Sequence, residues 1–304
     1  MWQKASGDSV AMSVLKAALI GRSLKHSISP EVHSRLFPIL CPGLGSQYDA
    51  IDYTKVECET ESDVRDWTRT AVKDGYRGAN ITIPFKKIAS QLGQDSSGVV
   101  SRIRSANTLV FNNMTHGYST DGQGFLNALG KECPEINVSN YHLMVLGAGG
   151  AARAVVHAIC DMNWRKISIA ARSTEKARSA MIGYPNIESI ELNGMHRASG
   201  NYFIINATPV GQMNNEHPLE QFEWHSRDIA ADLVYNPLRT SFLQSAEAAH
   251  ATVIDGLGML IEQAALSQYI WITGKEAQAS PLTLQDYQLL RSQLTPLLEK
   301  SSKF

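Results

Sequence analysis

The residues best suited to chemistry in this chain lie in short, separated clusters. In His142–Val156 an apolar run of strand length enters a glycine-rich turn, then continues with alanine and valine at helical spacing. Gly147, Gly149 and Ala152 fit G-x-G-x-x-[GA], the turn that opens a dinucleotide-binding βαβ unit. Gly147 permits the tight turn and Gly149 lets a pyrophosphate approach the backbone. Ala152 is small enough for the helix to pack on the strand with its first amides facing the anion, and Gly150 adds room. Arg172 closes the next strand, where NAD sites commonly place an acid; an arginine there suits a 2′-phosphate. Other reactive types have two readings each. Lys86 follows Pro84 at the carboxyl end of a strand, the edge where ligands bind in open α/β sheets, but a lysine there is also an ordinary solvated charge. Ser29, before Pro30, reads as a helix N-cap, Ser27 as a loop serine, and Thr120 or Asp121 as a cap. Gln263 on an apolar helix is either a satisfied core amide or a ligand contact.

The elements that must hold these groups follow from periodicity. Residues 1–13 read as a polar extension. Strands are expected at Lys16–Gly21, Ser46–Asp52 and Gly78–Ile83, with a helix at Glu61–Asp74 and a hairpin-like pair at Ala106–Asn112 and Thr115–Ser119. Strand–helix alternation then runs from residue 142 to 254, which argues a parallel, doubly wound sheet. A long apolar helix to Thr273 and an amphipathic one over Leu282–Leu298 close the chain. The expected fold is α/β in two domains. Residues 1–122, completed by 255–304, form a substrate domain, and 123–254 form a Rossmann-type nucleotide domain across one cleft.

Composition removes several classes of function. With 304 residues, 43% hydrophobic and 19% charged, the chain has an ordinary globular make-up and the length for two cores. A formal charge of −1 gives no general pull toward nucleic acid or a membrane. The four cysteines lack metal-ligand spacing and read as reduced thiols, and the N-terminus lacks the apolar core of a signal peptide. A cytoplasmic enzyme without a metal site is the expectation, and a homodimer is compatible with these features.

Seven ordered motifs, from Ala18 to Gly274, resemble the shikimate dehydrogenase family: HSISP (26–30), NITIPFK (80–86), ANTLV (106–110), STDGQG (119–124), GAGGAARA (147–154), NATPVG (206–211) with DLVYNP (232–237), and DGLGMLIEQ (255–263). The resemblance implies NADP-dependent, reversible reduction of 3-dehydroshikimate to shikimate. Lys86 would be the acid/base, paired with Asp121, with Thr82 nearby. Ser27, Ser29 and Tyr235 would take the substrate carboxylate, and Asn107 and Gln263 the ring hydroxyls. Gly147, Gly149, Gly150, Ala151, Thr208 and Gly256 would contact the cofactor, and Arg172, Ser173 and Lys176 would clasp its 2′-phosphate. Several positions depart from the family pattern: Ser119 for Asn, Ser23 for Pro, Arg104-Ser105 for Gly-Ala, and Ala171 for Asn. These leave a quinate/shikimate dehydrogenase, or a divergent paralogue using NAD or NADP, as the alternative.

Overall fold

Two separate sheets emerge from this pattern in the computed structural model, which describes residues 12–301 apart from 96, 182, 185, 193–196 and 213. The first begins with β1 (Val14–Gly21), buried without interruption from Ala17 onward, as a strand covered on both faces must be. After α1 (Ser29–Leu40) come β2 (Ala50–Glu57), α2 (Glu61–Ala71), β3 (Tyr76–Ile81), α3 (Lys86–Leu92), β4 (Gln94–Asp95), α4 (Val99–Ile103), β5 (Thr108–Phe111) and β6 (Thr115–Tyr118). The strand order is β2-β1-β3-β5-β6-β4. β2, β1 and β3 are parallel, β5 runs against β3, and β6 against β5. That mixture brings the ends of β1, β3 and β6 and the start of β5 to one edge.

The second sheet is fed by α5 (Asp121–Glu132). It contains β7 (Tyr141–Leu146), α6 (Gly150–Ile159), β8 (Lys166–Ala171), α7 (Thr174–Ala180), β9 (Ile187–Glu191), β10 (Asn201–Asn206), β11 (Ile229–Asp232), α8 (Ser241–Ala248) and β12 (Thr252–Ile254). Its order, β12-β11-β10-β7-β8-β9, is wholly parallel and reverses between β7 and β10. This is the doubly wound arrangement, and its ligand crevice opens at the carboxyl ends beside the reversal. The chain then returns. α9 (Leu257–Thr273) is apolar nearly all round and is accordingly buried, and α10 (Leu284–Ser301) lays Tyr287, Leu290, Leu294 and Leu298 on it and on α1.

Some expectations shift. β2 begins at Ala50 rather than Ser46; Asp49 is tied to Ser13 through its own N–H and its carboxylate, and the strand register with β1 runs from Ala50. α3, α4 and β4 were not anticipated; at 7, 5 and 2 residues they are too short to show a period. Ser29 is not an N-cap: Ile28 holds that position, and Ser29 is the first helical residue. Residues 1–11 of the expected N-terminal extension lie outside the described residues. No helix among the described residues is long and apolar enough to cross a membrane, and all four cysteines are free.

Candidate active site

The shared edge of the first sheet gathers the reactive side chains. β3 ends at Ile81, Thr82 N donates to Ile20 O at 2.9 Å, and Phe85 N closes the turn on Thr82 O at 2.9 Å. Phe85 is buried, which anchors the turn and sets Lys86 as the first residue of α3. No acid stands in the first turn of that helix, and a cation there opposes the helix dipole. Its counter-charge comes from elsewhere. Asp121, first residue of α5, meets Lys86 Nζ through Oδ2 at 2.6 Å, with the two side chains 16% and 6% exposed. The other carboxylate oxygen, Oδ1, accepts from Asn107 Nδ2 at 3.0 Å.

Asn107, placed just before β5, joins the remaining groups. Its Nδ2 also donates to Thr120 Oγ1 at 2.8 Å and Gln263 Oε1 at 3.3 Å, while its Oδ1 accepts from Thr120 N at 2.7 Å. Behind it, buried Asn80 donates to Asn107 O, Thr108 Oγ1 and Ser267 Oγ at 3.2, 3.1 and 3.0 Å and accepts from Tyr53 at 2.9 Å. Buried polar atoms left unpaired are costly, so this web fixes Asn107 in one orientation. Lys86, Asp121, Asn107 and Gln263 therefore form one connected cluster. Thr120 occupies the N-cap position of α5 but makes no capping bond; its hydroxyl serves the web instead.

A second group lies at the end of β1. The Ser27 hydroxyl donates to Ser29 Oγ at 3.1 Å and accepts from Ser29 N at 3.3 Å. Burial pushes the Tyr235 phenol above its usual range, and hydrogen bonding with Ser27 draws it partly back. The three hydroxyls thus converge, an arrangement that suits an anionic oxygen acceptor.

The glycine turn faces this edge. Gly147 has φ of 105°, and a methyl group there would stand 3.1 Å from both Ala207 O and Thr208 Cγ2, in the crevice between β7 and β10. Thr208 is held by its own hydroxyl, which donates to Asn206 Oδ1 at 2.6 Å. At Gly150 a methyl group would come within 2.5 Å of Ser105 Oγ and 3.3 Å of Lys86 Cδ. The turn is thus packed against the lysine itself, with Ala151 next along α6. Gly256, at the N-cap of α9, is pressed against the carbonyls of Leu233 and Val234. At the end of neighbouring β8, Arg172 and Lys176 are exposed, while Ser173 caps α7 by accepting from Lys176 N at 3.4 Å. A cradle that any Cβ would fill, helix amides beside it and exposed cations one strand away fit a phosphorylated dinucleotide.

Sequence reasoning passed over Asn80 and Ser267 and read Thr120 only as a cap. The signals were modest: a lone amide inside an apolar strand, a hydroxyl adjoining Asp121, and a serine one helical turn beyond Gln263.

Comparison with known proteins agrees with this geometry. A family model described as the shikimate dehydrogenase substrate binding domain matches residues 19–109. A shikimate dehydrogenase (NADP(+)) of Prochlorococcus marinus (strain MIT 9515) is 33% identical over 276 residues, 85% of this chain and 92% of that protein. One from Methanopyrus kandleri is 35% identical over 272 residues, 85% of this chain and 90% of that protein. Among solved structures, shikimate 5-dehydrogenase from Thermus thermophilus, in complex with NADP(H) and shikimate, superposes with a TM-score of 0.70. It is 27% identical and covers 92% of this chain and 99% of its own. At these identities over most of its length, the chain belongs to the shikimate dehydrogenase family.

Proposed function

We propose that this protein is an NADP-dependent shikimate dehydrogenase that interconverts 3-dehydroshikimate and shikimate, with Lys86 and Asp121 as its catalytic pair. The observation that carries the reading is the contact of the glycine turn with Lys86: Gly150 packs on the stem of a cation that Asp121 holds at 2.6 Å. A dinucleotide held on that turn by Gly147, Gly149 and Gly150 would supply hydride for reduction of the ring ketone. Reduction leaves charge on the ketone oxygen, and Lys86 is placed to give that oxygen a proton. Asp121 orients the ammonium and, with Asn107 and Gln263, takes ring hydroxyls. Thr82 flanks them at the strand end. Ser27, Ser29 and Tyr235 hold the substrate carboxylate.

Gly147, Gly149, Gly150 and Ala151 would cradle the pyrophosphate, Thr208 and Gly256 would contact the cofactor, and Arg172 with Ser173 and Lys176 would bind the 2′-phosphate. Residues 1–122 with 255–304 serve as the substrate domain and 123–254 as the nucleotide domain, a division supported by sheet membership and by the packing of α9 and α10 on α1. The enzyme works in the cytoplasm. Steady-state rates with shikimate and with quinate, each with NADP and NAD, test the reading. Shikimate with NADP should give the highest kcat/KM; a preference for quinate or for NAD would overturn it.

A further inference from the structure

Arg104 is out of place by ordinary backbone rules. It follows α4 with φ of 51°, in the left-handed region that side chains other than glycine rarely adopt. What holds it there comes from the other sheet. Arg153 of α6 donates through Nη2 to Arg104 O at 3.2 Å, through Nε to Ile103 O at 2.6 Å, and through Nη1 to Ala148 O at 3.1 Å. One guanidinium thus clamps the Arg104 backbone to the glycine turn. Next to it, Ser105 is 1% exposed and its hydroxyl has no hydrogen-bond partner among the described residues. That unspent donor lies against Gly150, the first residue of α6.

The charges at this seam are also unbalanced. The Arg104 side chain is exposed, and neither it nor Arg153 pairs with a carboxylate among the described residues. Burial, followed by the charge of Arg104, pulls the Arg153 guanidinium below its usual range. Two cations without a carboxylate partner among the described residues therefore lie side by side, and one of them, Arg153, is bonded to the glycine turn at Ala148 O.

We propose that Arg104 is a second cationic contact for the pyrophosphate of the bound dinucleotide, supplied to the glycine turn from the substrate side of the cleft. This rests on the reading of that turn as an NADP site. It differs from the role of Arg172, which concerns the 2′-phosphate alone, because the pyrophosphate is common to NADP and NAD. It also couples the two halves of the site. The segment that would touch the pyrophosphate is joined to Lys86 through Ala106 N, which donates to Lys86 O at 2.9 Å.

Titration of the full-length protein with NADPH, NADH and adenosine 2′-monophosphate tests it, using wild type, Arg104→Gly and Arg104→Lys. Glycine suits φ of 51°, so Arg104→Gly should fold with an equal or higher Tm. The proposal expects this better-accommodated variant to bind NADPH and NADH about tenfold more weakly, the scale of one charge-assisted bond. Adenosine 2′-monophosphate, which lacks the pyrophosphate, should bind unchanged, and Arg104→Lys should recover part of the loss. Unaltered NADPH and NADH affinity in a folded Arg104→Gly would overturn the inference and leave the NADP reading standing. An equal loss for adenosine 2′-monophosphate would place Arg104 on the wrong phosphate and overturn it too. A wild type that binds no NADPH would overturn the NADP reading itself, and this inference with it.

Discussion

Two lysine–carboxylate pairs stand at opposite ends of α5, and they are built differently. At its start Asp121 meets Lys86 at 2.6 Å; at its end Lys131 meets Glu262 at 2.5 Å. Both pairs are nearly buried, so burial does not separate them. Donor accounting does. Lys131 uses all three of its N–H bonds, on Glu262, Ser280 Oγ at 2.7 Å and Leu282 O at 3.1 Å, and Glu262 also accepts from Asn127 and Ser280. The Lys86 ammonium makes one bond among the described residues and keeps two N–H groups unspent. The helix dipoles repeat the contrast, since Lys131 lies in the last turn of α5, where a cation is favoured, and Lys86 in the first turn of α3, where it is not. A buried ion pair is weak evidence of anything by itself. The saturated pair is a structural tie, and the unsaturated one beside the glycine turn is available for chemistry.

The largest expected effect follows directly. Lys86→Met should cut kcat by about 10²–10⁴, the usual worth of a positioned acid/base, with only a modest change in NADP affinity. Rapid-mixing turnover on folded protein is the measurement, and a variant retaining most of its kcat would erase the distinction between the pairs. Lys131→Met should do the opposite. It leaves Glu262 fully buried without its cation, a loss of about 3–5 kcal/mol in a urea melt, while turnover per folded molecule stays close to wild type. A collapse of kcat there, with stability kept, would reverse the assignment.

How far the sequence shows this depends on what holds each group. The cofactor side is built from backbone, and backbone constraints are local. Gly147 takes φ of 105° with Ala207 and Thr208 close by, a Cβ on Gly150 would meet Ser105 Oγ at 2.5 Å, and the spacing of such glycines is visible in eight consecutive residues. The substrate side is built from side chains that meet across the fold. Asn80, Asn107, Thr120 and Ser267 come from four elements or their margins, so the motifs marked Asn107 but not the web that fixes it. Ser29 illustrates the reverse error. A serine before proline satisfies the local rule for a cap, but the helix starts one residue earlier and the hydroxyl is engaged with Ser27. β2 slipped for a related reason: as an edge strand with partly exposed residues throughout, it offers little apolar contrast to fix its start.

A third buried polar group sharpens the comparison, because here the charge is absent altogether. His33 is fully buried, stacked on Tyr53 at 4.1 Å, with Nδ1 beside Gln268 Nε2 at 3.0 Å, and burial lowers its pKa from 6.5 to about 3. The sign follows from proton uptake. Below pH 6.5 the unfolded chain binds a proton that the folded chain refuses until about pH 3, so this contribution is intact above pH 6.5 and is lost on acidification. Between pH 6.5 and 5 the wild type should lose about 2 kcal/mol more stability than His33→Gln, read from denaturant melts at each pH. Parallel pH profiles for the two proteins would show that His33 carries a charge in the fold.

The smallest expected effect is the sharpest control. Lys87 adjoins Lys86, shares the first turn of α3 and carries the same charge, but its side chain is exposed and makes no ion pair among the described residues. A site that needed only positive potential at the sheet edge would treat the two lysines alike, because neighbouring charges add to one field. A site that needs a proton delivered to one oxygen would not. Successive helical residues point about 100° apart, so the side chain that reaches Asp121 excludes its neighbour from the same place. Lys87→Met should therefore change stability by less than about 0.5 kcal/mol, as exposed substitutions usually do, and leave kcat near wild type. Its NADP affinity should fall only slightly, and that small loss should vanish at high salt, where exposed charges are screened. Turnover in Lys87→Met as low as in Lys86→Met, with both proteins folded, would mean that the ammonium held by Asp121 is not the proton donor.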